Sequence, residues 1–227
     1  MSKGVVIVAG GKGLRMGTDI PKQFLLLNGK PILMHTIEAF YNYDHTINIV
    51  LVLPESQFVY WAELKKKHNF KTPHSVVSGG ETRFHSVKNG IKFFSDDVSL
   101  IAVHDGVRPL VSKEIIARTF NEAKLHGGAY PVIPVVETLR KRDKKGGKNK
   151  QVDREDYFLG QTPQTFQTSI LRPLYNRRYS KSFTDDVSIV EKAKACNPIT
   201  IEGSRENIKI TTSEDLILAE AILKCRN

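Results

Sequence analysis

The sequence predicts an α/β protein: an open, mostly parallel twisted sheet with helices on both faces and one protruding β-arm. Three observations carry that expectation. Continuous apolar runs at 5–9, 47–53 and 100–103 have the length and unbroken hydrophobicity of strands covered on both faces. Segments with apolar residues at helical spacing separate them. Glycine turns or a His-Asp pair follow the early strands, and sheets of this kind bind ligands outside the carboxyl ends of their strands.

Residues 5–9 run straight into Gly10-Gly11-Lys12-Gly13-Leu14-Arg15-Met16-Gly17 and then Pro21-Lys22-Gln23. The 47–53 strand stops at Pro54. A helix is expected from 57 to about 68, with Val59 and Leu64 on one side and with Phe58 and Trp61 as packing residues. A short strand at 75–77 precedes Gly79-Gly80, and a helix over 86–94 places Val87, Ile91 and Phe94 at i, i+4 and i+7. The 100–103 strand leads to His104-Asp105. The 113–126 helix buries Ile116, Phe120 and Ala123 and ends at Gly127-Gly128. Pro131 and Pro134 interrupt an extended stretch at 129–136, which reads as an edge or bent strand. Residues 137–152 are polar and glycine-bearing, and read as the arm. A strand at 208–210 and a Thr212-x-x-Asp215 capping box lead into a last helix reaching about Lys224. With no repeat or linker, the chain is expected to form one Rossmann-like domain over 1–227 with an arm at about 136–155.

Composition narrows the function classes. Hydrophobic residues are 40% of the 227, and no apolar run reaches the ~18 residues of a membrane span. The chain enters its first strand at once, so no signal or transit peptide is expected. Cys196 and Cys225 lack metal-ligand spacing and read as reduced thiols of a cytoplasmic protein. The net charge of +10 suits either nucleic acid or small polyanions. Part of the excess lies in 141–150, where no aromatic residue is interleaved for base stacking. That run reads as a solvated hairpin tip.

The first glycine loop is not a phosphate-binding P-loop: five residues after Gly10 or Gly11 stand Arg15 or Met16, and no Gly-Lys-Ser/Thr follows. Its third glycine, Gly17, comes one residue late for a dinucleotide fingerprint, and Pro21 disrupts the helix such a fold needs there. What remains is a strand, a loop whose N–H groups approach an anion closely, and two cations, Arg15 and Lys22. Together these suit a nucleoside triphosphate.

Gly-x-Gly-x-Arg-Met-Gly followed by Pro-Lys-Gln resembles the signature of the polyol-phosphate cytidylyltransferases, and within them the branch that takes a methylerythritol phosphate in non-mevalonate isoprenoid synthesis. The likeness runs nearly end to end. It continues through Gly79-Gly80-Glu81-Thr82-Arg83-x-x-Ser86, His104-Asp105-Gly106-Val107-Arg108-Pro109, Thr138, Arg154, Gln161-Thr162-Pro163-Gln164, Thr184-Asp185-Asp186-x-Ser188 and Asn207-x-Lys209-x-Thr211. Two blocks depart slightly: Val8-Ala9-Gly10-Gly11 stands where Ala-Ala-Gly is more usual, and Asp105-Gly106-Val107-Arg108 where Asp-Ala-Ala-Arg is commoner.

The resemblance implies a reaction and roles. A phosphate oxygen of the polyol attacks the α-phosphorus of CTP and pyrophosphate leaves; the nucleophile is already an anion, so positioned cations matter more than a base. Arg15 and Lys22 are the expected catalytic cations. Ala9, Gly10, Gly11, Gly13, Gly80, Arg83, Ser86 and Gly106 are expected around the nucleotide, with helix capping as a further role for Ser86. Asp105, Arg108, Thr138, Arg154, Thr184 and Lys209 are expected around the polyol phosphate. Magnesium is implied as cofactor, held mainly by phosphates with a share for Asp105. A homodimer through the arm is implied, delivering Arg154 in trans. His104 reads as packing, and Asp185-Asp186 as substrate-loop anchoring rather than metal ligation. Neither nucleic acid nor membrane is an expected partner. The rival readings are a ribitol-5-phosphate cytidylyltransferase, a basic nucleic-acid-binding protein, and a regulatory protein that keeps the pocket without the catalysis.

Overall fold

The computed structural model describes residues 1–10, 20–143 and 147–226, and the structural statements below concern these. The strands are β1 (Ser2–Val8), β2 (Leu26–Leu27), β3 (Lys30–Pro31), β4 (Asn48–Leu53), β5 (Ser75–Ser78), β6 (Val98–Asp105), β7 (Gly128–Pro134), β8 (Arg140–Lys141), β9 (Lys150–Gln151), β10 (Phe158–Gly160), β11 (Gln164–Gln167) and β12 (Ile199–Glu202). The helices are α1 (Ile32–Tyr43), α2 (Phe58–Lys67), α3 (Arg83–Phe93), α4 (Lys113–His126), α5 (Thr168–Leu174), α6 (Asp186–Ala193) and α7 (Ser213–Arg226). None of these helices is long and apolar enough to cross a membrane.

The main sheet has the order β10-β7-β11-β6-β1-β4-β5, with β12 beside β7. β6, β1, β4 and β5 form a parallel block. β10 and β11 pair antiparallel with their neighbours, while β12 runs parallel to β7. Alternation along the central strands builds two layers, as the period of two requires. Val5, Ile7, Ile49, Leu51, Leu100 and Ala102 face a layer with Ile37 and Phe40 of α1, Trp61 of α2, and Ile116 and Phe120 of α4. Val6, Val50, Val52, Ile101 and Val103 face Val87 and Ile91 of α3, Leu171 of α5, and Val187 and Val190 of α6. This is the predicted α/β fold, with helices on both faces of a sheet that is parallel in its centre and mixed at one side. β8 and β9 pair as a two-stranded hairpin within the polar 137–152 stretch.

Several local expectations need correction. Val59 is exposed, while Trp61 and Leu64 carry the buried face of α2. Residues five apart lie about 140° apart around a helix, so Val59 and Leu64 cannot share its centre line. α3 starts at Arg83, capped by Thr82, whose hydroxyl accepts from His85 N; Ser86 lies inside the helix and is not its cap. Residues 208–210 form no strand: Ile210 N donates to Val107 O, and the chain then turns into α7. β7 is not an edge strand, since β10, β11 and β12 all pair with it. Each proline there removes only its own N–H, which leaves the rest of the ladder intact. The expected Thr212–Asp215 box is present: Asp215 Oδ2 accepts from Thr212 N at 2.9 Å, and Asp215 N donates to Thr212 Oγ1 at 3.4 Å.

Candidate active site

The carboxyl ends of the four parallel strands meet at one rim. Val8 and Ala9 after β1, Pro54 after β4, Ser78 and Gly79 at β5, and Asp105 at β6 line a cavity of about 560 Å³. Backbone bonds tie these ends to one another: Ala9 N to Val52 O at 3.0 Å, Gly79 N to Leu53 O at 2.8 Å, and Gly106 N to Val8 O at 2.9 Å. The rim is thus an extension of the sheet ladder.

One wall is the turn from β5 into α3. Gly80, Glu81, Thr82, Arg83 and Ser86 all face the cavity. Ser86 Oγ accepts from Gly80 N at 3.1 Å and fixes this turn. A Cβ on residue 80 would press into the His85 side chain and backbone, so the close approach requires glycine. The first turn of α3 brings the positive end of its dipole to the cavity, which suits an anion.

A second wall carries Lys22, on the 3₁₀ turn Lys22–Phe24 that follows Pro21. Its neighbour Gln23 is buried, and Gln23 Nε2 donates to Ala9 O and to Gln57 Oε1, both at 2.8 Å. Gln23 therefore fixes the lysine's turn against the end of β1. The Pro-Lys-Gln block marked this residue in the sequence, but its role needed the third dimension.

The floor is a charge cluster around Asp105. Lys209 Nζ lies 2.9 Å and Arg108 Nε 3.4 Å from Asp105 Oδ2, with Arg83 Nε 4.0 Å from Oδ1. Burial opposes ionisation of Asp105, but Lys209, Arg83 and Arg108 outweigh it and hold the carboxyl well below the usual range. Burial lowers the pKa of Arg108 and Asp105 partly offsets this. Arg83 also reaches Asp186 Oδ2 at 2.6 Å. Burial works against the charge of Arg83, and Asp186 more than compensates, so its pKa is raised.

His104 is a scaffold residue, as expected. It is fully buried and stacks edge-on against Phe40, with ring centroids 4.9 Å apart. Burial lowers its pKa to about 4, so it is neutral near pH 7. The Arg108 carbonyl, 3.1 Å from His104 Nε2, can only accept, which places the proton of the neutral ring on Nε2. Nδ1 is then the acceptor, and the Thr162 hydroxyl, which accepts from Asp105 N at 3.2 Å, donates to it at 3.0 Å. A histidine with both nitrogens occupied in this way is unsuited to proton transfer.

Of the residues singled out in the sequence, Ala9, Gly10, Lys22, Gly80, Arg83, Ser86, Asp105 and Lys209 line this one cavity. Arg108 lies behind Asp105, donating to Asn207 O at 2.7 Å. Gly106 packs beneath the rim: a Cβ there would come within 2.9 Å of Ala9 Cβ, so its contribution is to let β1 and β6 close together. Thr138 and Arg154 share a separate cavity of about 430 Å³ at the base of the hairpin, with Gln151 and Asp153. Thr184 is exposed, and its N–H donates to Ser188 Oγ at 3.1 Å. Arg15, Gly11 and Gly13 lie outside the described residues. Asp185 caps α6 through a capping box with Ser188, and Asp186 is ion-paired, which agrees with an anchoring role for this pair. Sequence reasoning missed Glu55 and Glu81 on the cavity wall, and it missed Asp186 as the partner of Arg83. The Thr-Asp-Asp block was visible, but no local signal points from residue 186 to residue 83.

The donor set does not suit Asp105 as a magnesium ligand. Its carboxylate already faces three cations within 4.0 Å, which compete with a metal ion. Among the described residues, no group of three His, Cys, Asp or Glu side chains is arranged to hold a metal.

The comparisons with known proteins point the same way as this geometry. The family described as IspD, 2-C-methyl-D-erythritol 4-phosphate cytidylyltransferase, matches residues 4–225. A protein of that name from Azobacteroides pseudotrichonymphae is 52% identical over 221 residues, covering 97% of this chain and 98% of the relative. One from Phocaeicola vulgatus is 51% identical over 223 residues, covering 98% and 100%. Among solved structures, 4-diphosphocytidyl-2C-methyl-D-erythritol synthase from Anaerococcus prevotii superposes with a TM-score of 0.83 at 25% identity, covering 98% of this chain and 96% of that one. The 2-C-methyl-D-erythritol 4-phosphate cytidylyltransferase from Thermus thermophilus gives 0.75 at 30% identity, covering 99% and 100%. A rim cavity walled by a glycine turn, a lysine and an Asp-centred charge cluster, on a chain matched almost end to end, leaves one assignment: the chain belongs to the 2-C-methyl-D-erythritol 4-phosphate cytidylyltransferase family.

Proposed function

We propose that the rim cavity carries out the family's cytidylyl transfer, joining CTP to 2-C-methyl-D-erythritol 4-phosphate as a step of non-mevalonate isoprenoid synthesis. An oxygen of the acceptor phosphate attacks the α-phosphorus of CTP, a new P–O bond forms, and the bond to the β-phosphate oxygen breaks to release pyrophosphate. The observation that carries this reading is the convergence of Lys22, Arg83, Lys209 and the α3 N-terminus on one cavity of about 560 Å³. Two polyanions repel each other, and these cations, positioned on a wall that also carries Glu55, Glu81 and Asp105, lower the barrier to their meeting.

In this reading the Gly80–Ser86 turn and Ala9 hold the cytidine end, Lys22 faces the phosphates where charge accumulates, and Arg15 is assigned the same role from its sequence motif. Asp105 orients Lys209 toward the acceptor phosphate, and Arg108 braces that carboxylate from behind. Magnesium, when bound, would be held by the CTP phosphates rather than by Asp105, whose carboxylate faces Lys209, Arg108 and Arg83. The hairpin supplies Thr138 and Arg154 to the acceptor site of a second copy. The exposed apolar side chains Val136, Tyr157 and Phe158, which line one hollow with Arg154, support such a dimer. The free cysteines Cys196 and Cys225 fit the cytosol as its compartment.

The test is pyrophosphate release from CTP and Mg²⁺ with each of two acceptors. Turnover is expected with 2-C-methyl-D-erythritol 4-phosphate. Preference for ribitol 5-phosphate, or CTP binding with no release on either acceptor, overturns the reading.

A further inference from the structure

We infer that Asp186, held by Tyr175, is the positioning residue that keeps the Arg83 guanidinium in the wall of the CTP cavity. The inference rests on the cytidylyl-transfer reading above and deepens it at one side chain. Asp186 is completely buried at the start of α6. A lone carboxylate in such a place is strongly disfavoured unless both oxygens are satisfied. Here one oxygen accepts from the Tyr175 hydroxyl and the other from Arg83 Nη2 at 2.6 Å. The backbone is fixed as well: Gln164 Oε1 accepts from Asp186 N at 2.9 Å and from Val187 N at 3.1 Å. Gln164 Nε2 donates to Asp185 Oδ2 at 2.9 Å. Apart from Arg83 itself, every contact that orients this carboxylate therefore comes from buried groups near α5, β11 and α6, none of which lines the cavity.

Arg83 does line the cavity, at the first position of α3. It has five N–H donors in a rigid fork, and a bond to Asp186 leaves others for an anion. Its second carboxylate neighbour, Asp105, is 4.0 Å away and already holds Lys209 and Arg108. Without the charge at 186, the guanidinium is drawn toward Asp105. That movement shifts it within the cavity, away from its place beside the first turn of α3, and adds a competitor for the carboxylate that orients Lys209. Asp186 thus determines which of two anions Arg83 serves, while touching neither substrate itself.

The experiment measures CTP affinity by titration calorimetry with Mg²⁺ and no acceptor, beside steady-state pyrophosphate release, for wild type, Asp186→Asn, Tyr175→Phe, Arg83→Met and the Asp186→Asn/Arg83→Met pair. Asp186→Asn is expected to weaken CTP binding roughly tenfold or more, the factor a lost charge-assisted hydrogen bond carries. Tyr175→Phe shifts it in the same direction by less, and serves as the reading if Asp186→Asn does not fold. In the Arg83→Met background, Asp186→Asn is expected to add almost nothing, since its effect passes through Arg83. A purely structural role predicts a lowered unfolding midpoint with unchanged CTP affinity, or effects that add in the pair; either result overturns the inference. So does a loss confined to the KM of the acceptor, or wild-type protein that does not bind CTP. Wild-type protein that binds CTP tightly but releases no pyrophosphate counts against the transfer reaction alone, while unaltered affinity in Asp186→Asn with an active wild type counts against the positioning role alone.

Discussion

The Lys209 ammonium lies 2.9 Å from the Asp105 carboxylate, joining the approach to α7 with the end of β6. Arg108 and Arg83 share the same carboxylate, so one buried anion organises three cations. Asp105→Asn keeps the shape and removes the charge, which leaves those cations to repel one another. The kcat/KM for the acceptor is expected to fall by at least roughly 30-fold, the scale for breaking a buried charge pair, with folding retained by circular dichroism. A variant with unchanged kinetics would mean that the cluster only stabilises the rim.

Lys22 and Arg154 are predicted to fail in different ways. Lys22→Ala is expected to lower kcat roughly 10²–10³-fold with little change in CTP affinity, because its contribution is largest where charge concentrates in the transition state. Arg154→Ala is expected mainly to raise the KM for the acceptor. Steady-state kinetics with each substrate varied in turn separate the two, and swapped phenotypes would reverse the roles.

The buried His104 gives a stability effect of defined sign. Its folded pKa is lowered to about 4, against about 6.5 when unfolded. Between these values the unfolded chain binds a proton that the folded chain does not. Stability therefore falls as pH drops from about 6.5 to about 4, by on the order of 3 kcal/mol for this group, and the loss levels off below that. Denaturant unfolding of wild type and His104→Gln across this window isolates the effect. The variant is expected to show a shallower slope, and parallel curves would rule it out.

The exposed apolar patch of Val136, Tyr157 and Phe158 is expected to pair two copies. Phe158→Asp places a charge there and is predicted to shift the protein toward monomer in sedimentation velocity. A second expected consequence is loss of acceptor affinity comparable to that of Arg154→Ala. A variant that sediments like wild type would remove this face from the interface.

Legibility in the sequence followed the range of the interactions. The parallel block was readable because residues such as 47–53 and 100–103 are buried on both sides and carry almost no polar residue to blur the run. β10, β11 and β12 were not readable: they are three or four residues long, and Phe158 and Leu159 are exposed although apolar. At the site, the glycine and Pro-Lys-Gln blocks announced the residues of the cavity wall. What they could not announce were links such as Arg83 to Asp186 or Gln23 to Gln57, which depend on side chains meeting across separate elements.

The alternating central strands have a consequence for how this chain tolerates change. Val5 and Ile7 belong to one helical layer and Val6 to the other. Deleting a single residue within β1 would exchange the two sets, turning each toward a layer shaped for its opposite. It would also withdraw Ala9 from the carbonyl of Val52 and from the side-chain amide of Gln23. In this architecture the spacing of β1 is a ruler for the chemistry above it, and a lesion far below the rim would be felt there first.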